Sequence, residues 1–175
     1  MVFVYGTAGS REENEWARLK ARYDAESWYY RANGAVDLVA DRDFRPENYA
    51  DRGIVLYGNA DTNRAWAGLL GDCPVQVRRG EVRIGDQSVS GDDLGVYLTW
   101  PRKDSDTAAV AVVAGSGTQG FRIANANQYF AGGSGFPDFM VFGPGMLAGG
   151  AAGLRAAGFF DYDWSLGRDF FLHQP

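Results

Sequence analysis

The side chains able to do chemistry are few, and their spacing is the first thing to weigh. Serine stands between glycines twice, in Gly115-Ser116-Gly117 and in Gly133-Ser134-Gly135. A serine nucleophile elbow reads GxSxG between a strand and a helix, and both serines sit at the wrong offset for it. The single histidine, His173, is two residues from the last, so a Ser-His-Asp system would draw its base from the terminal segment. Acidic pairs are more plentiful: Asp41 with Asp43, Asp92 with Asp93, Asp161 with Asp163. None has the spacing of a calcium loop with its closing glutamate, and they read as solvated turns. One Cys and one His argue against zinc, and neither a metal nor a cofactor is expected. The loop AGSGTQG, residues 114–120, is the stretch most like an anion cradle at a helix N-terminus. It lacks the lysine of a phosphate loop, and its glycines do not match GxGxxG, so it reads as a plain strand-to-helix turn.

Four phrases place these residues. FVYGTAG and VLYGNAD are short apolar runs ending in Tyr-Gly, and VAVVAGSG and FMVFGPGM are looser echoes. Each reads as a buried strand that stops at glycine beside Thr, Asn, Asp, Ser or Pro. Glycine lets the backbone turn sharply, and the polar neighbours satisfy the next amides. In a parallel sheet the loops after the strand carboxyl ends share one edge, where ligands usually sit. That edge collects Thr7, Asn59, Asp61, Ser116 and Thr118 as candidate ligand-binding residues. Asp61 and Ser116 are the catalytic candidates among them. A carboxylate at Asp61 can orient water, bind a metal or cap the following helix, and the cap is the simplest of the three.

The elements that hold this edge follow from period and caps. Ser10 with Glu13 forms a capping box that starts a helix over residues 11–32, ended by Asn33-Gly34. Trp16, Leu19, Tyr23 and Tyr30 lie along one face of it, with Ala17, Ala21, Ala25 and Trp28 beside them, and that face is expected to pack inward. Strands are expected at residues 2–5, 36–39 and 54–57, then a helix capped by Asp61 or Thr62 and running through Leu70. From residue 75 to 100 the period changes to two, with Gly85-Asp86 at a hairpin turn. Strand 108–113, helix 121–130 and strand 139–142 complete the pattern. Strands alternating with helices predict one α/β domain over residues 1–175: a three-layer fold with a mainly parallel sheet of the Rossmann or flavodoxin kind. An antiparallel hairpin insertion is expected around residues 75–100 and a mobile tail at 168–175.

Composition bounds the partners. The chain has 175 residues, 46% of them apolar and 14% aromatic, ample for a single core. A net charge of −5 argues against nucleic acid or an anionic membrane as partner. Cys73 is alone, which excludes an internal disulfide. No apolar run approaches the ~20 residues that span a bilayer. The opening MVFVYGTAG lacks the basic start of a signal peptide, so a soluble chain is expected. Glycines are concentrated between residues 115 and 158 but alternate with Phe, Met, Val and Leu, which predicts close backbone packing rather than a linker. The clusters Trp28-Tyr29-Tyr30 and FFDYDW, residues 159–164, read as part core and part protein interface.

These phrases carry a resemblance. VYGTAGSREENEWARLKARYDAESWYYRANGAVDLVAD, VLYGNADTNRAW, VRRGEVRIGDQSVSGDDLGVYLTWPR and AAGFFDYDWSLG together resemble a C-terminal domain found in bacterial serine hydrolases of the prolyl-oligopeptidase type. There it follows the α/β-hydrolase domain. The likeness runs from about Phe3 to Gly167 and implies a non-catalytic accessory domain whose partner is a hydrolase domain or a second copy. The catalytic motifs of such enzymes lie upstream of this region, so no catalytic residue carries over. Two other readings stay open on the residues alone. One is a stand-alone ester or phosphoester hydrolase, the other a small-molecule-binding module, and both would use the strand-end loops.

Overall fold

The structure, a computed structural model, describes residues 1–126, 129, 135–168 and 170–173. The chain opens with strand β1 (Val2–Tyr5) and helix α1 (Arg11–Ala32). Strand β2 (Asp37–Ala40), a 3₁₀ turn at Pro46–Tyr49, β3 (Ile54–Tyr57) and a short α2 (Trp66–Leu70) come next. Three short strands follow, β4 (Val75–Arg78), β5 (Glu81–Ile84) and β6 (Gln87–Ser90), and then the longer β7 (Gly95–Pro101) and β8 (Ala109–Gly115). Helix α3 (Thr118–Ile123), β9 (Phe139–Phe142), α4 (Gly145–Gly149), β10 (Leu154–Gly158) and β11 (Phe171–Leu172) complete the order.

The main sheet has eight strands in the order β11-β10-β9-β7-β8-β3-β1-β2. Strands β2, β1, β3 and β8 are mutually parallel. From β8 outward every pairing is antiparallel: β7 with β8, β9 with β7, β10 with β9, and β11 with β10. The expected mainly parallel, three-layer Rossmann or flavodoxin fold is therefore wrong, and the domain is a mixed α/β fold. The physical reason is the length of the connections. Only residues 102–108 join β7 to β8 and residues 143–153 join β9 to β10. A parallel crossover needs about a dozen residues or more, usually a helix packed on the sheet.

The period-two region is an antiparallel sheet of its own, β4-β5-β6, and it ends at Ser90. The strand expected to close that insertion is β7, which belongs instead to the main sheet. The helix expected at 121–130 is α3, which starts at Thr118 and ends at Ile123. Most of residues 127–130 lie outside the described residues. Within the tail expected at 168–175, Phe171 and Leu172 pair with β10 as an outer strand.

Alternation along the buried strands feeds two cores. Val2, Val4, Ile54 and Leu56 face α2 and the small sheet, where Trp66, Leu70, Val75, Val77, Val82 and Ile84 are buried with them. Phe3, Val55, Tyr57, Tyr97 and Val113 face the other way, against Ala17 and Ala21 of α1 and Ile123 beside them. Among the described residues no helix is long and apolar enough to cross a membrane.

Helix α1 starts as its sequence dictates. The Glu13 amide donates to Ser10 Oγ at 3.3 Å, and the Ser10 amide donates to Glu13 Oε2 at 2.6 Å. It stops where Asn33, rather than Gly34, takes the left-handed position at φ 51°. The face it buries is rotated from expectation: Ala17 and Ala21 turn inward as expected, but Leu19, Tyr23 and Tyr30 turn outward. Glu13, Ala17, Lys20, Ala21 and Asp24 point inward, while Leu19, Tyr23, Tyr29 and Tyr30 are 48%, 61%, 61% and 82% exposed. Two alanines let the helix approach the sheet closely, and the inward charges are paired. Lys20 Nζ bonds Asp24 Oδ1 at 2.8 Å, and the Tyr129 hydroxyl donates to the other Asp24 oxygen.

One buried cation ties the antiparallel half of the sheet to the loop before β3. The Arg102 guanidinium is wholly buried and donates to Asp104 through Nε at 2.6 Å and Nη2 at 2.7 Å. It also donates to the carbonyls of Arg52 at 2.8 Å, Pro46 at 3.1 Å and Tyr49. Removing a buried charge strands its partners, at a cost of about 3 kcal/mol. Arg102→Met should therefore lower the unfolding free energy by that order, read from urea denaturation. Arg102→Lys should recover only part of the loss, because an ammonium cannot span the planar fork.

Candidate functional site

The four strand ends do share one edge. Tyr5 pairs with Tyr57, Tyr57 with Val113, and both Gly115 and Phe142 lie opposite Gly95. Strand β9 keeps this direction because two antiparallel steps, through β7, restore the orientation of β8. The candidate residues Thr7, Asn59, Asp61, Ser116 and Thr118 are thus gathered along the same rim of the sheet.

What they do there is largely internal. Asn59 is fully buried, its amide donating to the Gly115 carbonyl at 2.8 Å while its oxygen accepts the Asp61 amide at 3.0 Å. Asn63, four residues on, donates to the carbonyls of Val4 at 3.0 Å and Tyr57 at 3.1 Å, and accepts the Ala65 amide at 3.0 Å. Thr62 Oγ1 accepts the Asn59 amide at 2.9 Å. Gly58 turns the chain into this knot at φ 117°, a conformation that L side chains rarely adopt.

Asp61 does not cap α2. That helix begins at Trp66, and its first residue is preceded by Ala65 with no side-chain cap. The Asp61 carboxylate instead accepts from Arg78 Nη1 at 2.7 Å and from the Arg79 amide at 2.9 Å, locking the β4–β5 turn to the rim. Ser116 is equally committed. It is fully buried, its Oγ accepts the Leu94 amide at 3.1 Å, its own amide donates to the Leu94 carbonyl at 2.9 Å, and its carbonyl takes the Gly80 amide at 2.7 Å. Side chains at Gly117 or Gly120 would run into the backbone of Asp92 or Leu94, so residues 92–94 fill the loop that resembled an anion cradle. Thr118 opens α3 on the half-buried side of this turn.

His173 stands beside β11, with β10, β9 and β7 between it and the β8 end that carries Ser116. Ser134 lies outside the described residues. Among the described residues no group of three or more His, Cys, Asp or Glu side chains could hold a metal ion. Burial pushes the Cys73 thiol up to about 12, which leaves it protonated and unreactive at neutral pH.

The rim also carries ion pairs that the sequence did not announce. Asp41 is buried, accepts the Arg64 amide at 2.7 Å, and is held by the Thr7 hydroxyl and by Arg64 Nη1 at 3.3 Å. Glu13 receives Arg79 through Nε at 2.9 Å and Nη2 at 2.7 Å, in a bidentate pair. Asp41, Asp61 and Glu13 are thus each engaged by an arginine. The sequence singled out Glu13 as a capping residue, Asp61 as a strand-end carboxylate and Asp41 as half of an acidic pair, but not their arginine partners.

A second surface differs in character. Between α1 and the sheet, the Lys20–Asp24 pair and Tyr129 form an internal clamp, and the buried Tyr57 hydroxyl lies in the field of Asp24. Burial raises both phenols well above their ordinary range, so they stay protonated. An apolar recess of about 210 Å³ lies near this clamp, between Tyr97, Thr99, Val113, Tyr129, Phe136 and Pro137. Its phenols are spent inward, Tyr97 on the Ala124 carbonyl at 2.7 Å and Tyr129 on Asp24. The outward side of the same helix is aromatic: Leu19, Tyr23 and Tyr30 line up on one stripe, with Trp16 half-buried at its start. Trp16 stacks on Phe121 at 4.5 Å and donates to Asn125 at 3.2 Å, so the stripe rises from a rigid base.

No protein-family model matches the chain, and no curated protein is significantly similar to it.

The Glu13–Arg79 pair gives the rim a pH signature. The Arg79 hydrogen bonds, aided by the Ser10 amide and opposed by burial, hold the Glu13 carboxyl down at about 2. A depressed carboxylate contributes stability that is complete above its unfolded value and drains away as pH falls through the folded one. Glu13→Gln should therefore lower stability at pH 7. It should also flatten the loss between about pH 5 and about pH 2, read from urea midpoints along a pH series.

Proposed function

We propose that this chain is a non-catalytic accessory domain, of the kind that follows the hydrolase domain in serine hydrolases of the prolyl-oligopeptidase type. It works by docking, on that catalytic domain or on a second copy of itself. The observation that carries this reading is the outer face of α1, where Leu19, Tyr23, Tyr29 and Tyr30 stand in solvent while Lys20 and Asp24 of the same helix are buried. Contiguous apolar patches on a rigid element mark contact surfaces. Aromatic residues are also enriched where proteins meet, because they bury much area at little entropic cost. The strand-end rim supports the same reading, since Asn59, Asp61 and Ser116 spend their polar atoms on backbone and arginine.

A fluorophosphonate probe tests the catalytic half of this statement, because it reacts only with an activated serine. The purified chain should take up no label. Stoichiometric labelling that is abolished by Ser116→Ala or Ser134→Ala would overturn the reading and restore a hydrolase in its own right.

A further inference from the structure

The segment FFDYDW, residues 159–164, stands at the end of the sheet away from the rim, where β10 has ended and β9 begins. Phe160 and Leu166 bridge to each other and close the loop 161–165. Within it the Trp164 amide donates to the Asp161 carbonyl at 2.8 Å, and the Ser165 amide to Asp163 Oδ1 at 2.9 Å. Phe160 is buried, its ring centre 5.5 Å from that of Phe139 and 5.0 Å from that of Trp100. Trp164 lies against Trp100 and Phe160, 6.0 and 6.2 Å between ring centres, and is still 38% exposed. A recess of about 440 Å³ opens beside these rings, lined by Phe160, Tyr162 and Trp164 together with Asp138 and Asp161. Its size is that of a ligand site, and its charge is one-sided. No basic side chain lines it, and Arg168, the next arginine along the chain, is not among its walls. Asp138 spends Oδ2 on the Phe160 amide at 3.0 Å, which fixes the carboxylate and leaves its other oxygen to the recess. The Asp161 side chain makes no hydrogen bond or ion pair among the described residues. The rim carboxylates Asp41, Asp61 and Glu13, by contrast, each have an arginine beside them.

We propose that this recess receives an arginine side chain of a partner polypeptide, its guanidinium laid on the Trp164 ring and donating to Asp161 and Asp138. The site goes beyond the docking reading above, for it lies off α1 and holds whatever that helix meets. Rings and carboxylates make different demands, and few groups satisfy both. The face of a tryptophan attracts a cation more strongly than that of any other side chain. A carboxylate with an unused oxygen needs a donor. A quaternary ammonium meets the first demand and cannot meet the second. A sugar hydroxyl donates but leaves two negative charges unneutralised. A lysine ammonium donates, yet it is compact and strongly hydrated and does not stack. The guanidinium is planar, weakly hydrated and always charged, stacks on aromatic faces and offers five donors in a fixed fork. Asp161, Tyr162 and Trp164 are all exposed, so the recess takes the end of a side chain and leaves the bearer's backbone outside. The net charge of −5 favours the approach of a basic segment.

The test is a titration of the full chain with the blocked peptide acetyl-Gly-Arg-Gly-amide. Binding is read by NMR at the Trp164 indole N–H and at the amides of Phe160 and Ser165. These signals should shift saturably at millimolar peptide. The citrulline counterpart, which keeps the shape without the charge, should leave them in place, and the lysine counterpart should bind more weakly. Asp161→Asn should weaken the arginine peptide about threefold or more, as loss of a partly exposed ion pair does. The Asp161 carboxylate has no partner within the fold, so that variant keeps its structure. Trp164 sits at φ 65°, which asparagine tolerates, so Trp164→Asn removes the ring while keeping the turn and should abolish binding at the two amides. Circular dichroism and melting temperature confirm that each variant folds. Absence of a saturable shift would overturn the proposal, as would a shift that citrulline reproduces or that survives both substitutions. Tetramethylammonium binding as tightly as the peptide would overturn the role of the carboxylates as acceptors. Free arginine binding more tightly than the blocked peptide would overturn the polypeptide as its bearer.

Discussion

Where parallel strands stop, their last carbonyls lose the neighbours that would have continued the ladder, and a buried carbonyl without a donor costs ~1–3 kcal/mol. The turn after β3 meets that demand for three strands at once. Asn63 reaches the carbonyls of Val4 and Tyr57, and Asn59 reaches that of Gly115, so β1, β3 and β8 are pinned at one end by two amides. The same turn extends outward through backbone. The Ala60 amide donates to Val77 of the small sheet, and the Thr62 carbonyl accepts the Ala8 amide that leads into α1. A side chain at Gly6 would collide with that same Thr62 carbonyl, so the β1 turn and the β3 turn close on each other. The phrase YGNADTN is thus an architectural knot.

That knot explains why the small antiparallel sheet sits where it does. Strand β4 is drawn to the rim by Ala60 on one side, and the following turn is held by Asp61 through Arg78 and the Arg79 amide. Arg79 then carries the contact across to Glu13, the residue that also caps α1. Helix start, strand-end turn and insertion are coupled through one chain of charge-assisted bonds. A rim built this way has little polar capacity left over for a ligand, and its loops are filled by neighbouring backbone rather than by solvent.

Much of this was legible in the residues. The Ser10–Glu13 box and the strand ends at glycine lie where their local signals place them, while the period-two stretch forms the antiparallel sheet only as far as Ser90. The direction of β7 was not legible from its side chains. GVYLTWP is a continuous apolar run, and such a run looks the same whether the strand lies parallel or antiparallel to its neighbours. The signal lay in chain length, since the short 102–108 link cannot cross the sheet. The role of Asp61 was misread for a related reason. Asp beside a turn caps a helix only when the helix starts there, and the Asn59–Asn63 knot delays α2 to Trp66.

The rotated face of α1 is the deepest departure from what its sequence suggests. Hydrophobicity alone orients Trp16, Leu19, Tyr23 and Tyr30 inward, but bulky rings would hold α1 away from β1 and β3. Ala17 and Ala21 permit close approach, and Lys20 with Asp24 can be buried because each neutralises the other and Tyr129 supplies a further donor. An ion pair buried this way adds little net stability compared with apolar residues of the same size, yet breaking it is costly, so it fixes which face turns inward. Leu19, Tyr23 and Tyr30 are then left largely in water, with Lys20 Nζ 5.4 Å from the Tyr23 ring centre and Tyr29 edge-on to Tyr30. The docking proposed for this chain would return that exposed area to an apolar contact. The inward side of α1 therefore carries its packing on the sheet, and the outer side is the one the proposed docking would use.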